Sequence, residues 1–478
     1  MVFPEHTSIT NAWRFRPSER RVILFAGDLI ISLFGLVIGL YFWGIGDTWL
    51  GFSAEFLRTR VPEWFYLMPV IWIGLLLELY DLHRATNWRE TIRSIATATI
   101  LGFGVYLLLF FVLAEHPRAL LPRRGVAGFI ITASLLTLGW RYLFIRVMAR
   151  DAFMRRFLVV GAGRPGRGIL QVIHKLDPPP FQVVGVIDDD PEKMGSDLEN
   201  YPVLGGSESL IEIAQSKKVS DIIVAIMGEV YGQMFQALLD VQEMGVELIN
   251  MPAMYEELLN RLPIQHLDAF WLLRSFGEEA RVSIFYRMGK RILDFIGGVV
   301  GTTFFLAVLP FVSIAILIDS GRPVFYKQAR LGRGGKPYDI IKFRTMRQDA
   351  EADGQAKWAE EKDQRVTRLG YFLRRTHLDE LPQFLQVLNG EMSLVGPRAE
   401  RPELVEALQK NIPFYRARLL VKPGITGWAQ LNYGYVATVK DTMVKLEYDL
   451  YYIKHRSLWL DILILLRTPW TIFGFRGR

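Results

Sequence analysis

The sequence predicts a membrane protein of mixed α and α/β class. A four-helix transmembrane bundle comes first, then a Rossmann-like α/β domain, then a mainly α C-terminal domain with amphipathic helices suited to the membrane interface. Three observations carry this. The 478-residue chain is 51% hydrophobic and only 22% charged, with mean hydropathy +0.20, which is high for a soluble protein of this length. Four apolar runs of membrane-crossing length open the chain. A strand, a glycine-rich turn and a second strand ending in acids follow them. The expected division is 1–150 for the spans, 151–255 for the α/β domain, 256–285 for a linker and 286–478 for the last domain.

The four runs are Val22–Trp43, Trp64–Tyr80, Ile95–Leu113 and Val126–Phe144. Each approaches the roughly 20 residues a helix needs to cross the hydrocarbon core. Asp28 interrupts the first. Trp and Tyr stand near several ends, as interfacial anchors do. No small-residue cleavage site follows the first run, so it is expected to stay as a span. Arg14, Arg16, Arg20 and Arg21 precede it. Arg84, Arg89 and Arg93 separate runs two and three, and Arg146, Arg150, Arg155 and Arg156 follow run four. The positive-inside rule therefore places the N-terminus and everything after run four in the cytoplasm. Arg118, Arg123 and Arg124 in the third loop count against this orientation.

The α/β domain begins with Phe157–Val160 as a strand, then Gly161-Ala162-Gly163-Arg164-Pro165-Gly166 opening a helix, then Val183–Ile187 ending at Asp188-Asp189-Asp190. This is a βαβ unit with a dinucleotide-type turn at Gly161, Gly163 and Gly166. The glycines serve equally well a tight turn with close helix–strand packing. Asp221–Ile226 and Val246–Ile249 read as further parallel strands. No Tyr-x-x-x-Lys pair of a short-chain oxidoreductase follows.

A fifth apolar run, about 292–318, contains Pro310, which removes a backbone donor and kinks a helix. By length it either spans or enters and returns to the same face. Amphipathic helices are expected over Glu403–Lys410, over Tyr448–Ile453, and from Leu458 to Phe475 with Trp459, Trp470 and Phe473.

Charge and composition narrow the chemistry. The net charge of +7 clusters beside apolar runs, favouring an anionic membrane surface and phosphorylated substrates over nucleic acid. The absence of cysteine excludes disulfides, zinc thiolates and a Cys nucleophile. The most informative residues are His377-Leu378-Asp379-Glu380-Leu381-Pro382-Gln383, running on to Val395-Gly396-Pro397-Arg398. Proline is tolerated in the first turn of a helix, so Asp379 and Glu380 are expected at a helix N-terminus, where anions are favoured. Carboxylates with Arg374, Arg375 and Arg398 nearby suit phosphate binding, Mg²⁺ binding and attack on phosphorus.

The order of motifs over 280–478 closely resembles the bacterial sugar transferases, the monotopic phosphoglycosyl transferases. It runs from Arg322–Gln328 through Ile341-Lys342-Phe343-Arg344-Thr345-Met346, the Asp379-Glu380 stretch and Gly396-Pro397-Arg398 to Lys422-Pro423-Gly424-Ile425-Thr426-Gly427-Trp428 and Tyr448–Ile453. The whole layout resembles the large members, the undecaprenyl-phosphate sugar-1-phosphate transferases of exopolysaccharide and O-antigen assembly. The resemblance implies that Asp379 attacks the β-phosphate of a UDP-sugar, releasing UMP, and that undecaprenyl phosphate then takes the phosphosugar. It implies that Glu380 binds the Mg²⁺ cofactor and that Lys342, Arg344, Arg374 and Arg398 contact phosphate. It also implies a helix that breaks at Pro310 and stays in one leaflet, membrane lipids as partners, a homodimer, and a bacterial inner-membrane location with the catalytic domain on the cytoplasmic face. Two positions depart from the family: Leu309 stands where members often have Ser, and Ala399 where they commonly have Pro. A membrane-anchored NAD-dependent sugar-nucleotide oxidoreductase or epimerase, resting on Gly161–Gly166, is the alternative.

Overall fold

The computed structural model describes residues 15, 17–80, 85, 87–112, 122–148, 154–176, 179, 181–228, 230, 232–266, 283–347, 365–434 and 438–472. They form two compact units, Met1–Met251 and Pro252–Arg478. Phe473 and the loop arginines Arg14, Arg16, Arg84, Arg118 and Arg150 lie outside the described residues.

In the first unit, helices Pro17–Ile45, Trp88–Val112 and Arg123–Met148 are each long enough to cross a membrane. The first and last of these approach closely because both present small residues. A Cβ on Gly39 would lie 2.9 Å from the Phe129 nitrogen, and one on Gly35 would lie 3.3 Å from the Ala133 backbone. Close backbone approach is how helices gain contact where lipid supplies no hydrophobic drive. The spacing Gly35-x-x-x-Gly39 that permits this is written in the sequence.

The second predicted span differs from expectation. It is three short pieces rather than one helix: a 3-10 turn Glu63–Leu67, an α-helix Met68–Leu75 and a 3-10 turn Leu77–Tyr80. Pro69 lacks the N–H that would bond back into the preceding turn, yet the pieces run in order beside the helix Arg123–Met148, from Phe65 at Gly125, through Trp72 Nε1 on Thr137 Oγ1 at 3.1 Å, to the Leu79 carbonyl on Arg141, so the segment still traverses the bundle, in parts.

Asp28, the interruption in the first run, faces Arg141 across the bundle at 2.6 Å, both side chains fully buried. Arg141 also donates to the Leu79 carbonyl at 3.0 Å, so one guanidinium ties together three segments. Intramembrane charges are retained when paired in this way. Arg141→Met, which strands the Asp28 charge, is expected to cost about 3–5 kcal/mol, read as a fall in the thermal midpoint of the protein in detergent. Asp28→Leu combined with Arg141→Met is expected to recover most of that loss. A double variant as unstable as the sum of its singles would show that the pair is not coupled.

The α/β domain carries a six-stranded sheet in the order β3-β4-β2-β1-β5-β6. The strands are β1 (Arg156–Val160), β2 (Gln182–Ile187), β3 (Asp197–Leu198), β4 (Tyr201–Gly205), β5 (Asp221–Val224) and β6 (Glu247–Asn250). All neighbours pair in parallel except β3 with β4. With β1 central and the chain winding outward to both sides, this is the Rossmann arrangement. The glycines of the first turn divide by role. Gly161 has φ +107°, and a Cβ on Gly166 would lie 1.9 Å from the Gly161 carbonyl, so turn and packing demand both; Gly163 meets no such obstacle. Asp188 at the end of β2 accepts the Ala162 N–H at 2.6 Å, which turns its carboxylate onto the glycine loop.

The second unit starts earlier than expected. Residues 256–266 of the expected linker 256–285 are folded into it. Leu262 and Ile264 are core residues, Trp428 Nε1 donates to the Asn260 carbonyl at 2.9 Å, and Lys454 pairs with Glu256 at 2.9 Å. The helix Ile284–Ser320 runs 37 residues without interruption through Pro310. Its face Asp294, Gly298, Gly301, Phe305, Val312 and Ile316 is buried, whereas Ile292, Phe295, Ile296, Val299, Val300, Phe304, Phe311 and Ile314 are exposed. Next come the antiparallel hairpin β7 (Phe325–Leu331) and β8 (Pro337–Phe343) and the short parallel pair β9 (Ser393–Val395) and β10 (Gly424–Thr426). Helices Pro402–Asn411 and Val439–Lys454 form as the sequence predicts. The helix Leu458–Ile472 buries Leu460 and Ile464 and exposes Trp459, Ile462 and Leu466.

Candidate active site

Asp379 and Glu380 lie in a 3-10 turn, Leu378–Glu380, ahead of the helix Gln383–Asn389 rather than on its N-terminal turn. Pro382 is the residue just before that helix, where its missing N–H costs nothing. The turn closes through i→i+3 bonds, with the Glu380 N–H donating to the His377 carbonyl at 3.2 Å. His377 enters it in the left-handed region, φ 56°. Its Nδ1 lies 2.9 Å from the Arg374 carbonyl. That oxygen can only accept, so the proton sits on Nδ1.

The hairpin brings cations to this turn. Gln386, 2% exposed, accepts the Ile341 N–H at 3.0 Å and donates to the Asp339 carbonyl at 2.8 Å. One side-chain amide thereby serves β8 as a neighbouring strand would and locks the helix against it. Lys342, the next residue on β8, reaches Glu380 at 2.6 Å. Arg398 reaches the same Glu380 Oε1 at 2.6 Å from the loop after β9. That loop is set by backbone packing between the two glycine motifs. Gly396 N–H donates to the Thr426 carbonyl and Gly424 N–H to the Pro397 carbonyl, both at 2.9 Å. A Cβ on Gly424 would lie 2.1 Å from the Gly396 nitrogen. Lys422-Pro423-Gly424 is thus explained by close backbone approach.

The two carboxylates differ in environment. Glu380 has two cationic partners; burial alone would raise its pKa, but Arg398 and Lys342 outweigh burial and hold it far below the usual carboxylate range. Asp379 is 7% exposed and forms no hydrogen bond to another described residue. Burial pushes its pKa up, Lys342 opposes this, and the charge on Glu380 adds to the rise. The result is one fixed, ionised carboxylate beside one unencumbered, more basic carboxylate.

The other predicted phosphate contacts are placed elsewhere. Arg344 lies one residue past the end of β8. It donates to the carbonyls of Ser320 at 2.7 Å and Arg322 at 2.6 Å and also to that of Gly321. It therefore caps the C-terminus of the helix Ile284–Ser320. Arg374 donates from Nε to Thr345 Oγ1 at 2.9 Å. Of the four predicted cations, Lys342 and Arg398 pair with Glu380, while Arg344 holds the helix-end carbonyls and Arg374 donates to the Thr345 hydroxyl. Pro310 lies within the long helix, whose residues Phe305, Val312 and Ile316 share a core with Leu373 and Leu381 of the site.

Among the described residues, no three His, Cys, Asp or Glu side chains gather as a metal cage. Two adjacent carboxylates still suit Mg²⁺, which takes one or two carboxylates and completes its shell with substrate phosphate and water. Glu380 Oε2, 3.5 Å from Arg398 Nη1, can supply such a ligand.

Residues 285–475 match the family described as bacterial sugar transferase, and residues 76–252 match that described as CoA-binding domain. The chain is 29% identical over 473 residues to the UDP-glucose:undecaprenyl-phosphate glucose-1-phosphate transferase of Xanthomonas campestris pv. campestris, covering 94% of each. It is 30% identical over 403 residues to the undecaprenyl-phosphate glucose phosphotransferase of Komagataeibacter xylinus, covering 82% of this chain and 73% of that one. It is 42% identical over 224 residues to the UDP-N-acetylgalactosamine-undecaprenyl-phosphate N-acetylgalactosaminephosphotransferase of Aeromonas hydrophila, covering 47% of this chain and 52% of that one. The match thus spans about half the length of the Aeromonas relative.

Proposed function

This chain belongs to the bacterial sugar transferase family, and from that premise we propose that it moves a sugar-1-phosphate from a UDP-sugar to undecaprenyl phosphate. The observation that carries the reading is the contrast between a buried Asp379 with no hydrogen-bond partner among the described residues and its neighbour Glu380, ion-paired to Lys342 and Arg398. An Asp379 oxygen attacks the phosphorus that bears the sugar. The phosphoanhydride bond breaks and UMP departs with the bridging oxygen. A phosphate oxygen of undecaprenyl phosphate then attacks the same phosphorus, freeing Asp379 and leaving an undecaprenyl diphosphate sugar. Lys342 and Arg398 offset the diphosphate charge as it gathers on the leaving group. Glu380 would hold a Mg²⁺ ion, which would supply further charge neutralisation there.

The helix Ile284–Ser320 supports a path that stays on one side of the membrane. Its contacts with the C-terminal unit run along its length, from the Tyr286 hydroxyl on Asp461 at 3.1 Å, through Gly297 against Leu394, to Ile316 in the core with Phe343. Its other face is apolar and exposed, and lipid would cover it. A crossing helix would have to leave the unit that holds Asp379. We place this unit, with the chain's N-terminus, on the cytoplasmic face of a bacterial inner membrane, where UDP-sugars are found and where the basic loops point.

The test is to incubate the purified protein with undecaprenyl phosphate, Mg²⁺ and UDP-glucose, UDP-galactose or their N-acetylated counterparts, and to measure UMP. Release is expected with at least one sugar, and a single-turnover burst of UMP is expected with that sugar when the lipid is omitted. Absence of UMP with every donor would overturn the reading. UMP formed only in the presence of the lipid, with no burst, would remove the covalent step.

A further inference from the structure

Behind Arg398 lies a cluster of charges that the proposed chemistry does not use. Arg418, on the 3-10 turn Tyr415–Leu420, is 4% exposed. Its Nη1 donates to the Tyr415 hydroxyl at 2.8 Å. Its Nη2 donates to Asp449 Oδ2 at 2.8 Å and to the main-chain carbonyl of Arg398 at 3.0 Å. From the other side, Arg330 of β7 donates to the Ala399 carbonyl at 3.2 Å. Glu400, next in the chain, lies 2.8 Å from Lys445 and 3.4 Å from Arg418. Burial opposes its ionisation, but Lys445 and Arg418 outweigh burial and hold its pKa down to about 2.

Residues 398, 399 and 400 are therefore each gripped by a cation of this cluster. Burying such a set is expensive, and apolar side chains of similar volume commonly stabilise a fold as well or better. What apolar side chains cannot do is donate to two successive carbonyls and so fix a loop that is neither helix nor strand. The glycine packing of β9 and β10 sets residues 396 and 397, and the cluster begins where that packing ends.

We propose that Arg418 is a positioning residue for Arg398, holding the Arg398 backbone so that its guanidinium meets Glu380 and the donor's diphosphate in one fixed place. This deepens the transferase reading and rests on it. Arg418 touches neither substrate nor the reacting atoms; it acts through Arg398.

The experiment is a double-mutant cycle on the full chain in detergent, reading kcat/KM for the accepted UDP-sugar from UMP release. Arg418→Lys cannot reach three acceptors at once. It is expected to lower kcat/KM about tenfold when Arg398 is present and to change it less than about twofold in an Arg398→Ala background. Tyr415→Phe, which leaves the Arg398 carbonyl bonded, is expected to stay within about twofold of wild type. Equal losses in both backgrounds, or a Tyr415→Phe loss matching that of Arg418→Lys, would overturn the proposal and leave the cluster a matter of stability. If Arg418→Lys does not yield folded protein by its thermal midpoint, Arg330→Lys at the neighbouring carbonyl carries the same cycle. A wild type that releases no UMP would defeat the transferase reading instead, so the two failures are distinct.

Discussion

Asp379→Asn is expected to abolish UMP release, by on the order of 10⁴-fold or more as for loss of a catalytic nucleophile, while raising the thermal midpoint of the C-terminal unit. Both effects follow from one environment. Asp379 is buried, without a hydrogen-bond partner among the described residues, and beside the ionised Glu380. Its pKa in the folded protein lies above that in the unfolded chain. Below the unfolded value both states hold the proton; as pH rises toward and through the folded value, the unfolded chain loses it first and stability falls. At neutral pH the ionised Asp379 therefore destabilises the fold, and a neutral amide of the same shape relieves that. The same raised pKa makes the carboxylate a better nucleophile and moves the acid limb of the kcat/KM profile to higher pH than an ordinary aspartate gives. Activity is expected to rise with pH through that limb. An Asn variant that retains full UMP release would end the nucleophile assignment. A variant that is inactive but less stable than wild type would mean that a partner in the fold holds the ionised Asp379.

Glu380→Gln is expected to produce the second large effect, a loss of about 10²–10³-fold, comparable to removing one preorganised charge from a reacting centre. The amide preserves shape but removes the charge that Lys342 and Arg398 share at 2.6 Å each. Those cations then act on Asp379 without the opposing carboxylate. Its pKa should fall, and the acid limb should shift to lower pH, opposite to the direction that burial imposes. The variant should also need more Mg²⁺ for half-maximal activity, and chelation of wild type with EDTA should stop turnover reversibly. A pH limb that stays in place while activity drops would show that Glu380 does not set the Asp379 environment.

Much of the site was legible in the sequence because its charges are written there. Asp379, Glu380, Lys342 and Arg398 lie in motifs far apart in the chain, and the fold brings all four together. Arg344 was not separable from Lys342 by sequence. Two residues apart on a strand share a face, but β8 ends at Phe343, so Arg344 leaves the pleat and turns to the helix end. Gln386 was invisible for another reason: a lone amide in an apolar run gives no sign that it will bond a strand edge. Asp449 falls in a run expected as an amphipathic helix and Arg418 in none, and only tertiary packing buries the two together. In the membrane unit Asp28 stood out as an interruption, but its partner Arg141 could be read equally as an interfacial arginine. The second span crosses in pieces rather than as one helix, which hydropathy cannot show because it counts apolar residues and ignores Pro69.

The helix Ile284–Ser320 packs on Leu373 and Leu381, which flank the reacting carboxylates, and Arg344 joins its end to β8. With that helix in the bilayer as proposed, the height of Asp379 above it would be a fixed dimension of the unit rather than the outcome of a docking equilibrium. For an acceptor dissolved in the membrane, the search is then lateral and two-dimensional. The second half-reaction should answer to the mole fraction of polyprenyl phosphate in the bilayer, and dilution of the same vesicles into a larger volume of buffer should leave it unchanged.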